Sequence, residues 1–323
     1  MIASKNLFLS IKPEISQLNS NLKKMIGAKN PILYAAAKHL FSKGGKRIRP
    51  SIIFFIAKIT TPNYIILPEH KRLAEITEII HTASLVHDDV IDDCDTRRGL
   101  ESVHNTFNTK IAVLAGDFLF AQSSWYLANL NNLEVVKTIS KVITDFAEGE
   151  IRQGLTHFDI TISIDDYIEK SFYKTATLIA CSCKATAILS NCNENIQNDF
   201  YAYGKHLGLA FQIIDDILDI TSSKDQLGKP AGSDLKNGNL TAPVIFALEE
   251  NPKLYKIINQ EFQQAKDIKT TIKNIKKTRG IQKSKDMAEE HIQLAINIIE
   301  KKFKCTHSQK LMLINDYIIN RFY

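Results

Sequence analysis

Glycine and proline are scarce in this chain, 13 and 8 among 323 residues. That shortage excludes a loop-rich or all-β domain, which needs both at its many turns. The cysteines are Cys94, Cys181, Cys183, Cys192 and Cys305, an odd number without zinc-type spacing. They read as reduced thiols of a cytoplasmic protein rather than a disulfide frame. No charged-then-apolar signal pattern opens the chain, and unbroken apolar runs such as Ile52 to Ala57 fall far short of a membrane span. Linkers, low-complexity tracts and repeats beyond one short motif are missing too, so a single large domain over residues 1–323 is expected. No basic stretch is interleaved with aromatics. The net charge of +6 therefore reads as solvated faces of Lys-rich helices, around Lys266 to Lys285 and Lys301 to Lys304, and not as a nucleic-acid surface.

What the chain has is apolar content, 44%, arranged at helical period. From Lys71 to Ile91 the apolar positions are Leu73, Ile76, Ile80, Ala83 and Val86. Further helices are predicted over Ile164 to Leu189 (with Ser163 as N-cap), Tyr201 to Ile220 and Ser284 to Lys302. Pro50 suits the first turn of another. Strand candidates are few. The expected fold is an all-α bundle of roughly ten or more helices with its site between facing helices.

Two acidic clusters stand out. Asp88, Asp89 and Asp92 repeat the spacing of Asp215, Asp216 and Asp219, 127 residues later. On a helix the first and last carboxylates of each cluster share a face and repel. A single such cluster is ordinarily a solvated surface. Both of these lie inside apolar runs, where carboxylates need partners or metal ions. Six oxygen-donor side chains suit a hard divalent cation, above all Mg²⁺, bridged to phosphate.

The cations nearby point to the same anion. Arg97 and Arg98 follow the first cluster, where they either pair with it or grip phosphate bidentately. Gly44 to Pro50 sets Lys46, Arg47 and Arg49 at a helix start, a phosphate cradle or a solvated loop. Lys174-Thr175 and Lys229 add further candidates. His81 lies two turns before Asp88, roughly 10 Å along the helix axis, and Gln212 one turn before Asp215. Either also suits an ordinary buried hydrogen-bonding role.

In these stretches the chain resembles the trans-isoprenyl diphosphate synthases, specifically the long-chain polyprenyl branch. The matching segments are Gly44 to Pro50, His81 to Gly99, Glu148-Gly149-Glu150 with Gln153, Lys174-Thr175, and Phe211 to Pro243. They cover roughly Gly44 to Leu248, and together, in this order, they are highly specific. Ala242 departs from the family, where Leu is common; His104 is assigned no role.

The resemblance implies a large helical bundle of isoprenoid-synthase type with a central apolar cavity. It also implies a homodimer, Mg²⁺, and repeated head-to-tail joining of isopentenyl diphosphate to an allylic diphosphate such as farnesyl. Asp88, Asp92 and Asp215, with Asp89, Asp216 and Asp219, would hold the metal. Arg97, Lys174, Thr175, Gln212 and Lys229 would hold the allylic diphosphate, with Lys174 also catalytic. Lys46, Arg49, His81 and Arg98 would hold isopentenyl diphosphate. Chain length is expected to be set by Ala83 and Ser84, where family members with aromatics stop early, and deeper by Trp125, Tyr126 or Leu127. Small residues there imply a long product, expected to be octaprenyl for a quinone side chain. Membrane contact would be peripheral at most, through the product. A terpene cyclase or head-to-head synthase typically lacks the Gly44 to Pro50 turn and the complete second cluster. A non-catalytic partner subunit of a heteromeric synthase, the alternative, need keep neither cluster.

Overall fold

The computed structural model describes residues 8–39, 41, 45–97, 99–222, 232–262 and 265–319. Among them helices dominate, as the periodicity predicts. The only strands described are β1 (Thr96–Arg97) and β2 (Leu100–Glu101), a short antiparallel pair. The chain divides into two compact units, one of residues 1–143, 178–202 and 299–314, the other of residues 144–177, 203–298 and 315–323.

The first unit contains α1 (Lys12–Met25), α2 (Pro31–His39), α3 (Ile48–Thr60), α4 (Pro68–Ile91), α5 (Val103–Phe107) and α6 (Thr109–Ala128). Its organising element is α4, which packs against α1, α3 and α6. The predicted stripe of Leu73, Ile76, Ile80, Ala83 and Val86 is buried. Each large aliphatic side chain so removed from water contributes about 1.5–3 kcal/mol. Pro68 starts the helix, where its missing N–H costs nothing.

Two glutamates lie on the buried part of α4, and each has a cation. Arg72 reaches Glu75 at 2.8 Å and Arg47 reaches Glu78 at 2.7 Å. Arg47 sits at φ 50°, a conformation that side-chain-bearing residues rarely adopt. Its guanidinium, which also donates to Asn19 Oδ1 at 2.9 Å, holds it there.

Helix α6 is long and apolar enough to cross a membrane by length and composition. Lys110 and Asp117 interrupt its apolar runs, which is why run length in the sequence does not reveal it. Its inner face, Ala112, Ala115 and Leu119, is buried, while Val113, Leu114 and Trp125 are 39%, 49% and 61% exposed.

To the second unit α7 (Leu133–Leu155) contributes from Thr144 and α10 (Glu194–Thr221) from Tyr203. It also holds α8 (Ile164–Ser171), α11 (Ser233–Lys236), α12 (Ala242–Glu250), α13 (Lys253–Ile258), α14 (Ala265–Ile275) and most of α15 (Gly280–Lys302). The remaining helices are α9 (Thr177–Leu189) and α16 (Thr306–Ile319). Ser163 caps α8 as predicted: its hydroxyl accepts from the Asp166 N–H, and Asp166 accepts from the Ser163 N–H, both at 3.1 Å. The helix predicted from Ile164 to Leu189 is interrupted by a π turn over Phe172–Ala176. The acidic stretch of α10 is anchored by buried Leu209, Ala210, Ile213, Ile214, Ile217 and Ile220.

Candidate active site

The first acidic cluster closes α4. Asp88 and Asp92 are half-buried, and Asp92 is the residue at which the helix ends. Asp89, one position round the helix, turns inward and is 1% exposed. One of its oxygens accepts from Arg97 Nε at 2.5 Å; the other, Oδ2, is buried without a hydrogen-bond partner. Burial pushes the Asp89 carboxyl up from its ordinary range, and the Arg97 guanidinium opposes that shift. Of the two readings open for Arg97, ion-pairing is the one observed. Arg98, Lys229 and Gly44 lie outside the described residues.

Upstream, the three cations of the turn have separate placements. Lys46 is exposed and lines a cavity of about 280 Å³ with Lys12 and Ser16. Arg47 is the buried partner of Glu78. Arg49 Nη1 stands 3.1 Å from His81 Nε2. A guanidinium only donates, so His81 Nε2 accepts and the ring proton sits on Nδ1. Arg47 and Arg49 thus grip residues three apart on one face of α4.

His87, just before the cluster, lays its ring against Gly116 of α6. A Cβ at position 116 would stand 2.2 Å from His87 Nε2. The same nitrogen donates to the Val113 carbonyl at 3.1 Å. Ala83 is fully buried and Ser84 half-buried. Of the three deeper candidates, Leu127 is buried and Tyr126 is half-buried, its ring under Arg72 and its hydroxyl 3.4 Å from the Met25 carbonyl. Trp125 instead lies on the outward face of α6, because it is two helical positions away from Leu127.

In the second unit the acidic cluster belongs to a continuous polar network. Thr175 Oγ1 donates to Gln212 Oε1 at 2.6 Å, and Gln212 Nε2 donates to Asp216 Oδ1 at 2.7 Å. The Tyr167 hydroxyl donates to Asp216 Oδ2 at 2.6 Å. Burial, then the like charge of Asp234, pushes Asp216 well above the carboxylate range, and the Tyr167 and Gln212 donors pull it back. Asp219 is buried and accepts from Ser233 Oγ at 2.8 Å, fixing the start of α11. Asp215 is half-buried.

Lys174 leaves the π turn toward α7, where it meets Glu150 at 2.5 Å and Gln153 at 2.9 Å. One turn earlier, Lys170 is buried and donates to Asn239 Oδ1 at 3.1 Å. Burial lowers its ammonium pKa, while Asp216 and Asp234 raise it. Sequence reading did not single out Tyr167, Lys170 or Asn239. Their partners lie far along the chain, and no local spacing announces them.

Among the described residues no three His, Cys, Asp or Glu side chains are grouped to hold a metal by themselves. The donor chemistry nonetheless fits a hard cation that takes part of its shell from a phosphate ligand. The cluster residues offer carboxylate oxygens only, and Asp89 keeps one buried oxygen without a hydrogen bond.

Helices that end in paired carboxylates, with an arginine beside the first cluster and an amide donor beside the second, suit an all-α protein that binds an anion through a divalent cation. Residues 30–275 match the family described as polyprenyl synthetase. A prenyl transferase of Porphyra purpurea is 59% identical over 321 residues, 99% of each chain. The chloroplastic solanesyl-diphosphate synthase 2 of Oryza sativa subsp. japonica is 51% identical over 302 residues, 93% of this chain and 75% of that one. A polyprenyl synthase from Caulobacter crescentus, crystallised with calcium and isoprenyl diphosphate, superposes with a TM-score of 0.92 at 28% identity, over 98% of this chain and 97% of that one. The chain belongs to the polyprenyl synthetase family and is a long-chain trans-prenyltransferase.

Proposed function

We propose that the chain elongates an allylic diphosphate with isopentenyl diphosphate, head to tail, to nonaprenyl (solanesyl) diphosphate for a plastoquinone-type side chain. The nonaprenyl length replaces the octaprenyl expectation. It is supported by the rice solanesyl relative and by small residues at Ala83 and Ser84. The observation that carries the chemistry is the network of the second unit. It joins a threonine hydroxyl, an amide and an acidic cluster through bonds of 2.6 and 2.7 Å, and the neighbouring Lys174 is held separately by Gln153 at 2.9 Å.

In the second unit, Lys174, Thr175 and Gln212 are assigned to the leaving diphosphate, with Lys229 and with Asp215, Asp216 and Asp219 as the acidic set. In the first unit, Asp88, Asp89 and Asp92 are the acidic set, and Arg97, which Asp89 holds through Nε, is assigned to the diphosphate through its terminal nitrogens. Lys46, Arg49, His81 and Arg98 are assigned to isopentenyl diphosphate. Mg²⁺, when bound, supplies charge to polarise the departing diphosphate. Lys174 steadies the same group as its C–O bond breaks and an allylic cation forms. Arg49, donating to His81 Nε2, fixes the orientation of the His81 ring. The double bond of isopentenyl diphosphate then attacks the cation, and the released diphosphate takes the proton. Buried Ile80, Ala83 and Val86 keep water from the hydrocarbon.

The enzyme is proposed to be a cytoplasmic homodimer that meets membranes only through its product. The exposed Leu114 and Trp125, on one face of α6, and the adjoining Val113 are the apolar side chains that a second copy would cover. The cytoplasmic reading rests on an odd number of cysteines without zinc-type spacing, the pattern of reduced thiols. Incubating the purified chain with farnesyl diphosphate, isopentenyl diphosphate and Mg²⁺ tests the proposal. Reversed-phase chromatography should show a nonaprenyl product that chelation of the metal abolishes. A chain that stays inactive until a second protein is added is a partner subunit instead.

A further inference from the structure

The turn that carries Lys174 and Thr175 is wider than an α-helix. The Thr177 N–H bonds to the carbonyl of Phe172, five residues back. Turns of this kind are rare and concentrate at functional sites. Two glycines press on it. On α7, a Cβ at Gly149 would stand 2.9 Å from Lys174 Cγ, 3.1 Å from Tyr173 Cβ and 3.2 Å from the Lys174 nitrogen. On α10, a Cβ at Gly208 would stand 2.6 Å from Ala176 Cα and 2.7 Å from its Cβ.

Both glycines lie within helices and neither has a positive φ, so no turn demands them. Glycine there weakens the helix relative to alanine. The two positions share something else. Gly149 is followed by Glu150 and, one turn on, by Gln153, which are the partners of Lys174. Gly208 lies one turn before Gln212, the partner of Thr175. Each glycine therefore sits on the helix that receives one of the two side chains, beside the residue that receives it.

We propose that Gly149 and Gly208 are positioning residues, a two-sided clamp that fixes the Lys174 ammonium and the Thr175 hydroxyl where a diphosphate is held. The missing Cβ at Gly149 leaves room for the Lys174 stem, so its ammonium reaches Glu150 and Gln153. The missing Cβ at Gly208 lets the backbone at Ala176 come close enough for Thr175 to meet Gln212. The identity of the anion rests on the function proposed above; the clamp itself rests on the contacts.

The test is Gly149→Ala, alone and in a Lys174→Met background, because the nearest atom displaced belongs to the flexible Lys174 side chain. Inorganic diphosphate with Mg²⁺, titrated calorimetrically, should bind roughly tenfold to a hundredfold more weakly to Gly149→Ala, the scale of a 1 Å misplacement. The melting temperature should hold or rise, since alanine favours the helix. In the Lys174→Met background the substitution should have no further effect on binding. Equal weakening with and without Lys174, or unchanged binding with Lys174 present, overturns the clamp. Should the unaltered chain neither bind diphosphate nor form product, the proposed function falls. A crystal structure of Gly149→Ala then decides the clamp alone: a Lys174 ammonium moved off Glu150 and Gln153 supports it, and an unmoved one overturns it.

Discussion

The Tyr167 hydroxyl donates to Asp216 Oδ2 at 2.6 Å, and both residues are buried. Tyr167→Phe takes that donor from a carboxylate which burial already disfavours in its charged form. A buried acceptor deprived of a partner costs about 1–3 kcal/mol. The variant should melt several degrees lower and need more Mg²⁺ for half-maximal turnover. Differential scanning calorimetry and a metal titration of activity check both; an unchanged pair of values would show that Asp216 does not depend on Tyr167.

Arg47 and Glu78 form a buried pair in which each side chain is 7% exposed. Glu78→Gln leaves the guanidinium without its counter-charge. The expected loss of stability is about 3–5 kcal/mol, the range for breaking one partner of a buried pair. Urea unfolding should show it as a lower midpoint at unchanged slope.

Of the acidic motifs, most was legible in the sequence. Helical spacing already puts Asp88 and Asp92 on one face and Asp89 about 100° away, so the inward turn of Asp89 follows from position alone. The helices around both clusters, the Ser163 cap and the near absence of strands were legible for the same reason: local periodicity encodes them. The π turn was not, because no residue pattern in Phe172 to Ala176 distinguishes an i−5 bond from an i−4 bond. Nor was the Lys170–Asn239 contact, whose partners lie 69 residues apart. Arg47 looked like a third phosphate cation; only its left-handed backbone and Glu78 show that it faces inward.

His206 and His291 face each other with Nδ1 atoms 3.0 Å apart. Burial, then the mutual pairing and Lys205, holds His206 down at about 4, against an ordinary 6.5; burial and Lys205 lower His291 too. Glu290 opposes the shift at His206. The unfolded chain therefore binds protons first as pH falls. Stability is fully present above pH 6.5 and declines toward pH 4. Because neither ring is fully buried, the loss is discounted to the order of 1–2 kcal/mol. Melting temperatures across that window should fall less steeply for His206→Phe.

Trp125, at 61% exposure, is the largest side chain on the outer stripe of α6. Trp125→Glu places a charge where a second copy is proposed to sit. Light scattering after gel filtration should move from twice the chain mass of 36.5 kDa to that mass itself. A dimer that survives would put the interface elsewhere.

Ala83 is fully buried on α4, five residues before Asp88. Ala83→Phe should shorten the product toward the farnesyl or geranylgeranyl range. Radiolabelled isopentenyl diphosphate and thin-layer chromatography read the length directly. Unaltered product would remove Ala83 from the path of the growing chain.

His87 stands between two surfaces that serve different ends. It immediately precedes Asp88, and its ring rests on Gly116 while bonding the carbonyl of Val113, whose own side chain faces outward from α6. A displacement of α6 on pairing with another molecule would reach the first aspartate through a single imidazole. In the proposed homodimer, a change at that surface would therefore be felt where the metal is proposed to bind.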